Sequence, residues 1–184
     1  SNGSLDTSFD GDGILITDSS FQVGVIQVIQ ADGKMLVGGS IRTTDNTATN
    51  PVISRYNSDG SLDTSFAGTG KAIIDSLTTL NSKSNSIGQV AVQTDGKIVA
   101  VVSGSIVGGG SGKFSVARYN SNGSLDTSFG SNGIVMTDIK PDSATGIISE
   151  DYEFATNLTL QADGKILVLG SSLYKGYGSG MELM

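Results

Sequence analysis

Short apolar runs bounded by turn residues recur along the chain and predict β-strands. The most apolar of them are Met35–Val37, Ile98–Val102 and Ile166–Leu169. Runs of this length, rich in branched residues, are typical of strands that are buried on both faces. A half-apolar stretch precedes each run and is expected to form another strand. No segment has the sustained helical periodicity, with capping residues, that would predict a helix.

An Asp-Gly pair separates each half-apolar stretch from the apolar run that follows it. The pairs begin at Asp32, Asp95 and Asp163. Asp-Gly between two strands favours a two-residue hairpin of type I′, in which both residues take a positive φ. We therefore predict a tight hairpin at all three places.

Two further strands are expected in each unit of this pattern. Val52–Tyr56 and Phe114–Tyr119 alternate apolar and polar residues, which indicates a strand with one covered face. After a polar link, Ile14–Thr17 and Ile134–Thr137 are apolar again, and we expect them to be fourth strands.

The whole pattern is repeated, because the hexapeptide Ser-Leu-Asp-Thr-Ser-Phe begins at Ser4, Ser61 and Ser124. The approximate repeat units are 1–57, 58–120 and 121–184, the last of them incomplete. The chain has no initiator Met and stops partway through a unit, so we interpret it as a piece of a longer protein. The repeat units differ in length only in the segment that precedes the Asp-Gly pair. Insertions at one point of each repeat gather on one face of a repeat fold, often the binding face.

Four strands in about 60 residues, with a middle strand buried on both faces, predict the blade of a β-propeller. Blades stack because a single small sheet cannot bury its own faces. We therefore predict an all-β chain of about three four-stranded blades, and the alternative is a β-solenoid. A propeller closes with about four to eight blades. Further blades of the same parent chain, or a second copy of this chain in an oligomeric ring, are the expected partners.

The motifs also resemble a known family. The run Asp-Gly-Lys-Ile-Leu-Val at Asp163–Val168 and the longer string at Ala117–Gly130 resemble the delta-60 repeats of bacterial proteins. The resemblance covers essentially the whole chain, and it implies a β-propeller on a large secreted or cell-surface protein, without catalytic residues to carry over. The insertion at Lys140–Thr156 and the missing Arg-Tyr-Asn motif of the third unit depart from the family pattern.

Composition excludes several classes of function. Eleven basic and 18 acidic residues give a net charge of −7, which argues against a nucleic-acid binder. The chain has no His and no Cys, so histidine acid–base chemistry, zinc sites and nucleophilic triads that need either residue are not expected. No apolar run approaches the ~20 residues of a membrane-spanning helix, and we expect no membrane insertion. The 26 glycines are typical of a turn-rich β protein.

Asp6, Asp63 and Asp126 of the hexapeptides are interpreted as turn residues that accept backbone hydrogen bonds, and the alternative is one metal ligand in each blade. Arg55 and Arg118 stand inside apolar strands, and arginine is seldom buried without a partner. We therefore predict structural, bidentate pairs of Arg55 with Asp63 and of Arg118 with Asp126.

A calcium loop is the alternative interpretation of Asp6, Asp10 and Asp12, because Ca²⁺ takes six to eight oxygen ligands from closely spaced acidic residues. The bidentate Glu of that motif is absent and the other units do not repeat the pattern. A solvated turn is the favoured interpretation, with Ca²⁺ as the one cofactor that the sequence suggests.

The longest insertion carries a candidate ligand loop at Glu150, Asp151, Tyr152 and Glu153. Paired carboxylates could serve glycoside hydrolysis, and Tyr152 could bind a sugar together with tyrosines at 174 and 177. The simpler interpretation is a solvated acidic loop.

These features together predict a non-catalytic, extracellular structural or adhesive module of a bacterial surface or secreted protein. The first alternative is a lectin-like propeller that binds glycans or another ligand through its variable loops. The second is a glycan-active enzyme built on Glu150 and Glu153.

Overall fold

The computed structural model describes residues 3–17, 20–74, 82–106, 114–137, 152–174 and 177–183, and these residues are almost entirely strands and turns. The strands are β1 Phe21–Ile29, β2 Met35–Arg42, β3 Thr49–Tyr56, β4 Lys71–Ile73, β5 Ser82–Val92, β6 Ile98–Ile106, β7 Phe114–Tyr119, β8 Ile134–Thr137, β9 Tyr152–Leu160, β10 Ile166–Tyr174 and β11 Tyr177–Leu183. A short 3₁₀ turn lies at Phe66–Gly68. No helix in the described ranges is long and apolar enough to cross a membrane.

The strands form three consecutive antiparallel meanders, which we call units 1, 2 and 3. Unit 1 contains β1 to β4, unit 2 contains β5 to β8, and unit 3 contains β9 to β11. One parallel pair, Thr49 with Ser84, joins the first two sheets. Each complete sheet takes its fourth strand from the segment after the hexapeptide, so the sheets are offset from the repeat units 1–57 and 58–120.

The predicted fourth strand at Ile134–Thr137 is confirmed, because it is β8 and pairs with β7. The prediction of a strand at Ile14–Thr17 is wrong, because these residues have no strand assignment. The fourth strands β4 and β8 each pair with the strand that precedes their own hexapeptide, and Ile14–Thr17 has no such neighbour among the described residues. Ile16 is accordingly 82% exposed.

The prediction of type I′ hairpins at the Asp-Gly pairs is also wrong. In the first hairpin the Gly33 N–H donates to Gln30 O at 2.9 Å, and Gly33 alone among the turn residues has a positive φ, of 82°. This is a three-residue loop, a type I turn followed by a left-handed glycine. Asp32 favours it because its Oδ1 accepts the backbone N–H of Lys34 at 3.1 Å.

The core lies between successive units. Leu36 and Ile53 of unit 1 pack with Ile87 and Val90 of unit 2 in one apolar cluster. A second cluster joins Val99 and Val101 of unit 2 to Ala155 and Leu158 of unit 3. The first strands of successive units also contact one another, β1 with β5 and β5 with β9. The central strand of unit 2, β6, is thus covered on both faces, which is why its sequence is nearly continuous in apolar residues.

Because the strands alternate in direction, every unit has two distinct edges. We call the edge that carries the Asp-Gly turns and the hexapeptide links the turn edge. The opposite edge, which we call the loop edge, is where the strands flanking residues 43–48, 75–81, 107–113 and 138–151 end or begin. All length variation between the repeats falls in connections of the loop edge.

Candidate functional site

Four polar side chains meet at the turn edge of unit 1. Asp63 is buried, and its Oδ2 accepts hydrogen bonds from Arg55 Nε and Lys34 Nζ, both at 2.7 Å. Its Oδ1 accepts the Ser65 N–H at 3.1 Å and the Ser65 hydroxyl at 2.6 Å. The Lys34 ammonium, with the Ser65 hydroxyl, holds the pKa of Asp63 well below its usual range. We call this arrangement the clamp of unit 1.

Local structure brings the members of this clamp together. The Asp-Gly turn places Lys34 at the start of β2, while Arg55 lies on β3, next to β2 in the sheet. The Asp63 N–H donates to Arg55 O at 2.9 Å, which holds the link against the strand. Arg55 Cζ stands 4.5 Å from the centroid of the Phe66 ring, so the guanidinium is also held by a cation–π contact.

Unit 2 repeats the clamp with its own residues. Asp126 Oδ2 accepts from Arg118 Nε at 2.8 Å and from Lys97 Nζ at 3.0 Å. The Ser128 hydroxyl donates to Asp126 Oδ1 at 2.6 Å, and this bond, followed by that of Lys97, lowers the pKa of Asp126. Arg118 Cζ lies 4.4 Å from the centroid of the Phe129 ring.

The structure brings each predicted Arg–Asp pair together, but not in the bidentate geometry that the sequence suggested. One guanidinium nitrogen, Nε, reaches the carboxylate in each clamp. The reason is that serine occupies Oδ1 and lysine shares Oδ2. Sequence reasoning missed Lys34 and Lys97 as members, although each stands 29 residues before its aspartate, and that constant spacing was a usable signal.

The clamp of unit 1 also holds the neighbouring unit. Arg55 Nη1 donates to Ser121 O at 2.7 Å, and the Ala67 N–H donates to Asn122 O at 2.7 Å. Gly123 lies directly under this contact, because a Cβ added there would be 2.8 Å from the Ala67 nitrogen. The same contact occurs one unit earlier, where the Asp10 N–H donates to Asp59 O at 2.8 Å.

The three aspartates considered for calcium lie in turns of the N-terminal segment. Within the described ranges no group of three or more acidic side chains is placed to hold a metal ion. Asp6 Oδ1 accepts the Ser8 N–H at 3.0 Å, and Asp12 Oδ1 accepts the Ile14 N–H at 2.8 Å. Asp10 serves through its backbone, in the contact with Asp59. Asp6 and Asp12 are turn residues whose carboxylates satisfy nearby backbone donors, and Asp10 takes a left-handed turn conformation with a φ of 47°.

The side chains of the candidate ligand loop, residues 150–153, are not described by the structure. Glu150 and Asp151 lie outside the described residues. Tyr152 and Glu153 begin β9, where the backbone alone is described. Tyrosines 174 and 177, which flank the last connection, are likewise described by backbone alone.

A cavity of about 410 Å³ lies at the turn edge between the first strands of units 2 and 3. Val92, Gln93, Leu160 and Gln161 are among the residues that line it, and no charged residue is in the lining. Gln93 Oε1 is buried without a hydrogen-bond partner among the described residues. In each clamp, by contrast, the carboxylate is already paired with two cations. A carboxylate of lowered pKa is a poor proton donor or acceptor near neutral pH.

Comparison with known proteins agrees with this geometry. Residues 30–66 and 93–129 match the family described as Domain of unknown function (DUF5122) beta-propeller. Each matched segment spans one whole clamp, from before its lysine to its aromatic residue. No curated protein matches the sequence.

A solved structure, that of the endo-arabinase from Bacteroides thetaiotaomicron VPI-5482, is similar with a TM-score of 0.50 and 10% sequence identity. The similarity covers 92% of this chain and 57% of that chain, so the present chain spans little more than half of its length. At this identity the likeness concerns the fold. The stacked meanders, the family match and this similarity together establish an all-β propeller fold, as predicted, rather than a β-solenoid.

Proposed function

We propose that the chain is a non-catalytic structural and adhesive module of a secreted or cell-surface bacterial protein, built from repeats of the delta-60 type. The observation that carries the proposal is the use of buried charge. In the part of the chain that the structure describes, the buried charged residues are Arg55, Asp63 and Asp126, and all three belong to clamps. The buried charged side chains therefore connect strands and units to one another.

We assign different roles to the two edges: the turn edge stabilises the fold, and the loop edge binds partners. The turn edge has the same clamp and the same three-residue turns in units 1 and 2. The loop edge carries every connection whose length differs between repeats, and variable connections on a rigid repeat scaffold are where binding surfaces usually lie. The strands that flank the acidic insertion, β8 and β9, end and begin at this edge.

The test is binding of the purified chain to an array of glycans and extracellular-matrix proteins. A variant with connection 138–151 replaced by a Gly-Ser linker as long as 75–81 should lose adhesion and keep its thermal midpoint. Replacement of the loop 43–48 by the same linker is the matched control. Release of reducing ends from any polysaccharide, abolished by Glu150→Ala with Glu153→Ala, would overturn the non-catalytic assignment. Selective binding to one glycan would make the chain lectin-like instead.

A further inference from the structure

The cavity of about 410 Å³ at the turn edge has a neutral lining that comes from two units. One wall is the end of β5 with the turn that follows it, residues 92–94, and the other is the end of β9 with its turn, which includes residues 160–162. Because these two strands contact one another directly, the walls are parts of the same rigid scaffold. The volume lies in the range of small-ligand sites.

The charged residues of the two turns have partners outside the cavity. Asp95 Oδ1 accepts the Lys97 N–H at 3.1 Å, and Lys97 Nζ belongs to the clamp of Asp126. Asp163 Oδ1 accepts the Lys165 N–H at 3.1 Å, and its Oδ2 lies 2.7 Å from Lys165 Nζ. None of these charged residues is in the lining. Since an unpaired ion is costly to bury, the cavity is suited to an uncharged ligand.

Gln93 contributes an unused acceptor to this lining. Its backbone N–H donates to Lys97 O at 2.8 Å, which fixes the residue at the start of the turn. Its side-chain Oε1 is buried and has no hydrogen-bond partner among the described residues. Gln30 Oε1, at the same position of unit 1, is in the same state, so the unpaired acceptor is a feature of the repeat. A buried acceptor without a donor is costly, and beside a cavity the donor can come from a ligand.

The other wall supplies a second amide and aliphatic surface. Gln161 holds the same position in unit 3, lines the cavity and is exposed, so a ligand can reach its side chain. A glutamine amide has an acceptor oxygen and two donor hydrogens, and a peptide group offers the matching N–H and C=O. Val92 and Leu160 add apolar surface beside the amides. The described lining contains no aromatic ring of the kind that Tyr152 would offer to a sugar, which favours a peptide over a glycan.

We propose that this cavity binds an uncharged, aliphatic segment of a partner polypeptide. A backbone N–H of the segment donates to Gln93 Oε1, the Gln161 amide bonds a neighbouring peptide group, and a small side chain packs on Val92 and Leu160. The site adds a binding role to the turn edge and lies away from the loop edge, so the inference is independent of the adhesive function proposed above.

Calorimetric titration of the whole chain with the peptide acetyl-Ala-Val-Ala-amide tests the proposal, and we expect saturable binding. The same peptide with methylated amide nitrogens lacks the N–H donors and should bind about tenfold more weakly, as expected for the loss of one buried hydrogen bond. Gln93→Leu should weaken binding of the unmodified peptide by a similar factor. Methylation should then make little further difference, because the bond that it removes is already absent.

Gln30→Leu is the matched control, because it makes the same change at the same turn position outside the cavity lining, and it should keep the wild-type affinity. Gln93→Leu should keep or raise the thermal midpoint, since it removes a buried acceptor that has no partner. The variant in which a linker replaces connection 138–151 should bind the peptide normally, which separates this site from the adhesive one.

Four results would overturn the proposal. The first is a wild-type chain that does not bind the peptide at millimolar concentration, and the second is equal binding of the methylated peptide. The third is a Gln93→Leu variant with unchanged affinity and a lowered midpoint, which would make the glutamine purely structural. The fourth is binding of N-acetylglucosamine in place of the peptide, which would make the cavity a sugar site.

Discussion

The junction of units 1 and 2 and the junction of units 2 and 3 are packed in opposite ways. Gly38 leaves room for Ile87 of the next unit, and a Cβ at Gly38 would lie 2.6 Å from Ile87 Cγ2. At the corresponding positions of the second junction, Val101 and Ala155 are buried in one cluster. The large side chain comes from the later unit in the first junction and from the earlier unit in the second. Protein interiors are close-packed, so the two facing positions of a junction together fill a fixed volume. Either position can carry the large side chain if the other carries a small one.

The two junctions also differ in their polar contacts. The first is held at the turn edge, where Arg55 donates to Ser121 O and its side chain is 11% exposed. Arg118, with a 21% exposed side chain, has no such contact to unit 3 in the described residues. The second junction is held near the first strands, where Leu158 N–H donates to Gln89 Oε1 at 2.5 Å. The first junction therefore combines a charged donor with neutral hydrogen bonds such as that of the Ala67 N–H to Asn122 O, whereas the described contacts of the second junction are neutral.

The largest effect is expected from Gly38→Val, which places a branched side chain against Ile87. Overpacking of a close-fitting core costs about 1–3 kcal/mol, and here the added atoms also meet Val90. We expect a loss of about 3 kcal/mol in the free energy of unfolding, measured by urea titration. The double variant Gly38→Val with Ile87→Ala recreates the Val101–Ala155 arrangement and should recover most of the loss. A double variant less stable than Gly38→Val would contradict the idea that either of the two facing positions can carry the large side chain.

Removal of the clamp charge is expected to have an effect of similar or slightly smaller size. Asp63→Asn keeps the shape of the side chain but leaves Arg55 and Lys34 without a carboxylate, and loss of one partner from a buried ion pair costs about 3 kcal/mol. Asp126→Asn should cost less, because its arginine is more exposed. Thermal unfolding followed by circular dichroism compares the two. Asp59→Asn is the matched control and should be near neutral, since unit 2 already has Asn122 at that turn position.

The pH dependence of the stability of Asp63→Asn gives an independent check. The pKa of Asp63 is lowered on folding. Its stabilising contribution is therefore complete above the unfolded-state pKa of about 3.9 and is lost as pH falls through the folded-state pKa. The difference in stability between the wild type and Asp63→Asn should be constant from pH 7 to 5 and shrink below pH 4. A difference that grows in acid would show that the carboxylate is not stabilised by its partners.

Sequence reasoning found the strands because burial on both faces leaves a continuous apolar run, as at Ile98–Val102. It found that arginine and aspartate belong together because a buried guanidinium needs an anion. It failed at Lys34 because the partner aspartate lies 29 residues away, and that spacing points to a contact only when two repeats are compared. It failed at Asp32 because an Asp-Gly pair fits both a two-residue and a three-residue turn. The small residue at Gly38 is matched to the large residue at Ile87 of the next unit. The sequence of a single repeat does not show which residues of two units face each other.

A smaller effect, confined to the first junction, is expected from Gly123→Ala. Its φ of 89° is unfavourable for any side chain, and a Cβ there would also press on the Ala67 nitrogen and the Phe66 ring. Gly96→Ala is the control, because Gly96 has a φ of 82° but only an ordinary contact, 3.7 Å from Ser121 Cβ. The strain of positive φ, about 1 kcal/mol, should be common to both variants. We expect Gly123→Ala to lose about 1 kcal/mol more, in the overpacking range, and equal losses would mean that the turn does not press on unit 1.

The smallest effect separates the two arginines. Arg55→Lys keeps the positive charge but removes the Nη1 donor to Ser121 O and the planar contact with Phe66. Arg118→Lys removes the corresponding ring contact with Phe129, and both variants lose the Nε bond to their aspartate, but the Arg118 guanidinium makes no described contact with unit 3. The two variants therefore differ by the bonds that Arg55 alone makes, a short one to Ser121 O and a long one of 3.3 Å to Ser65 Oγ, and the difference in urea-determined stability should be about 1.5 kcal/mol. Hydrogen exchange at the Ala67 amide locates the effect, since it should accelerate in Arg55→Lys and not in Arg118→Lys. Equal losses, with no change at Ala67, would mean that the arginine acts within its own unit and that the junction depends on apolar packing alone.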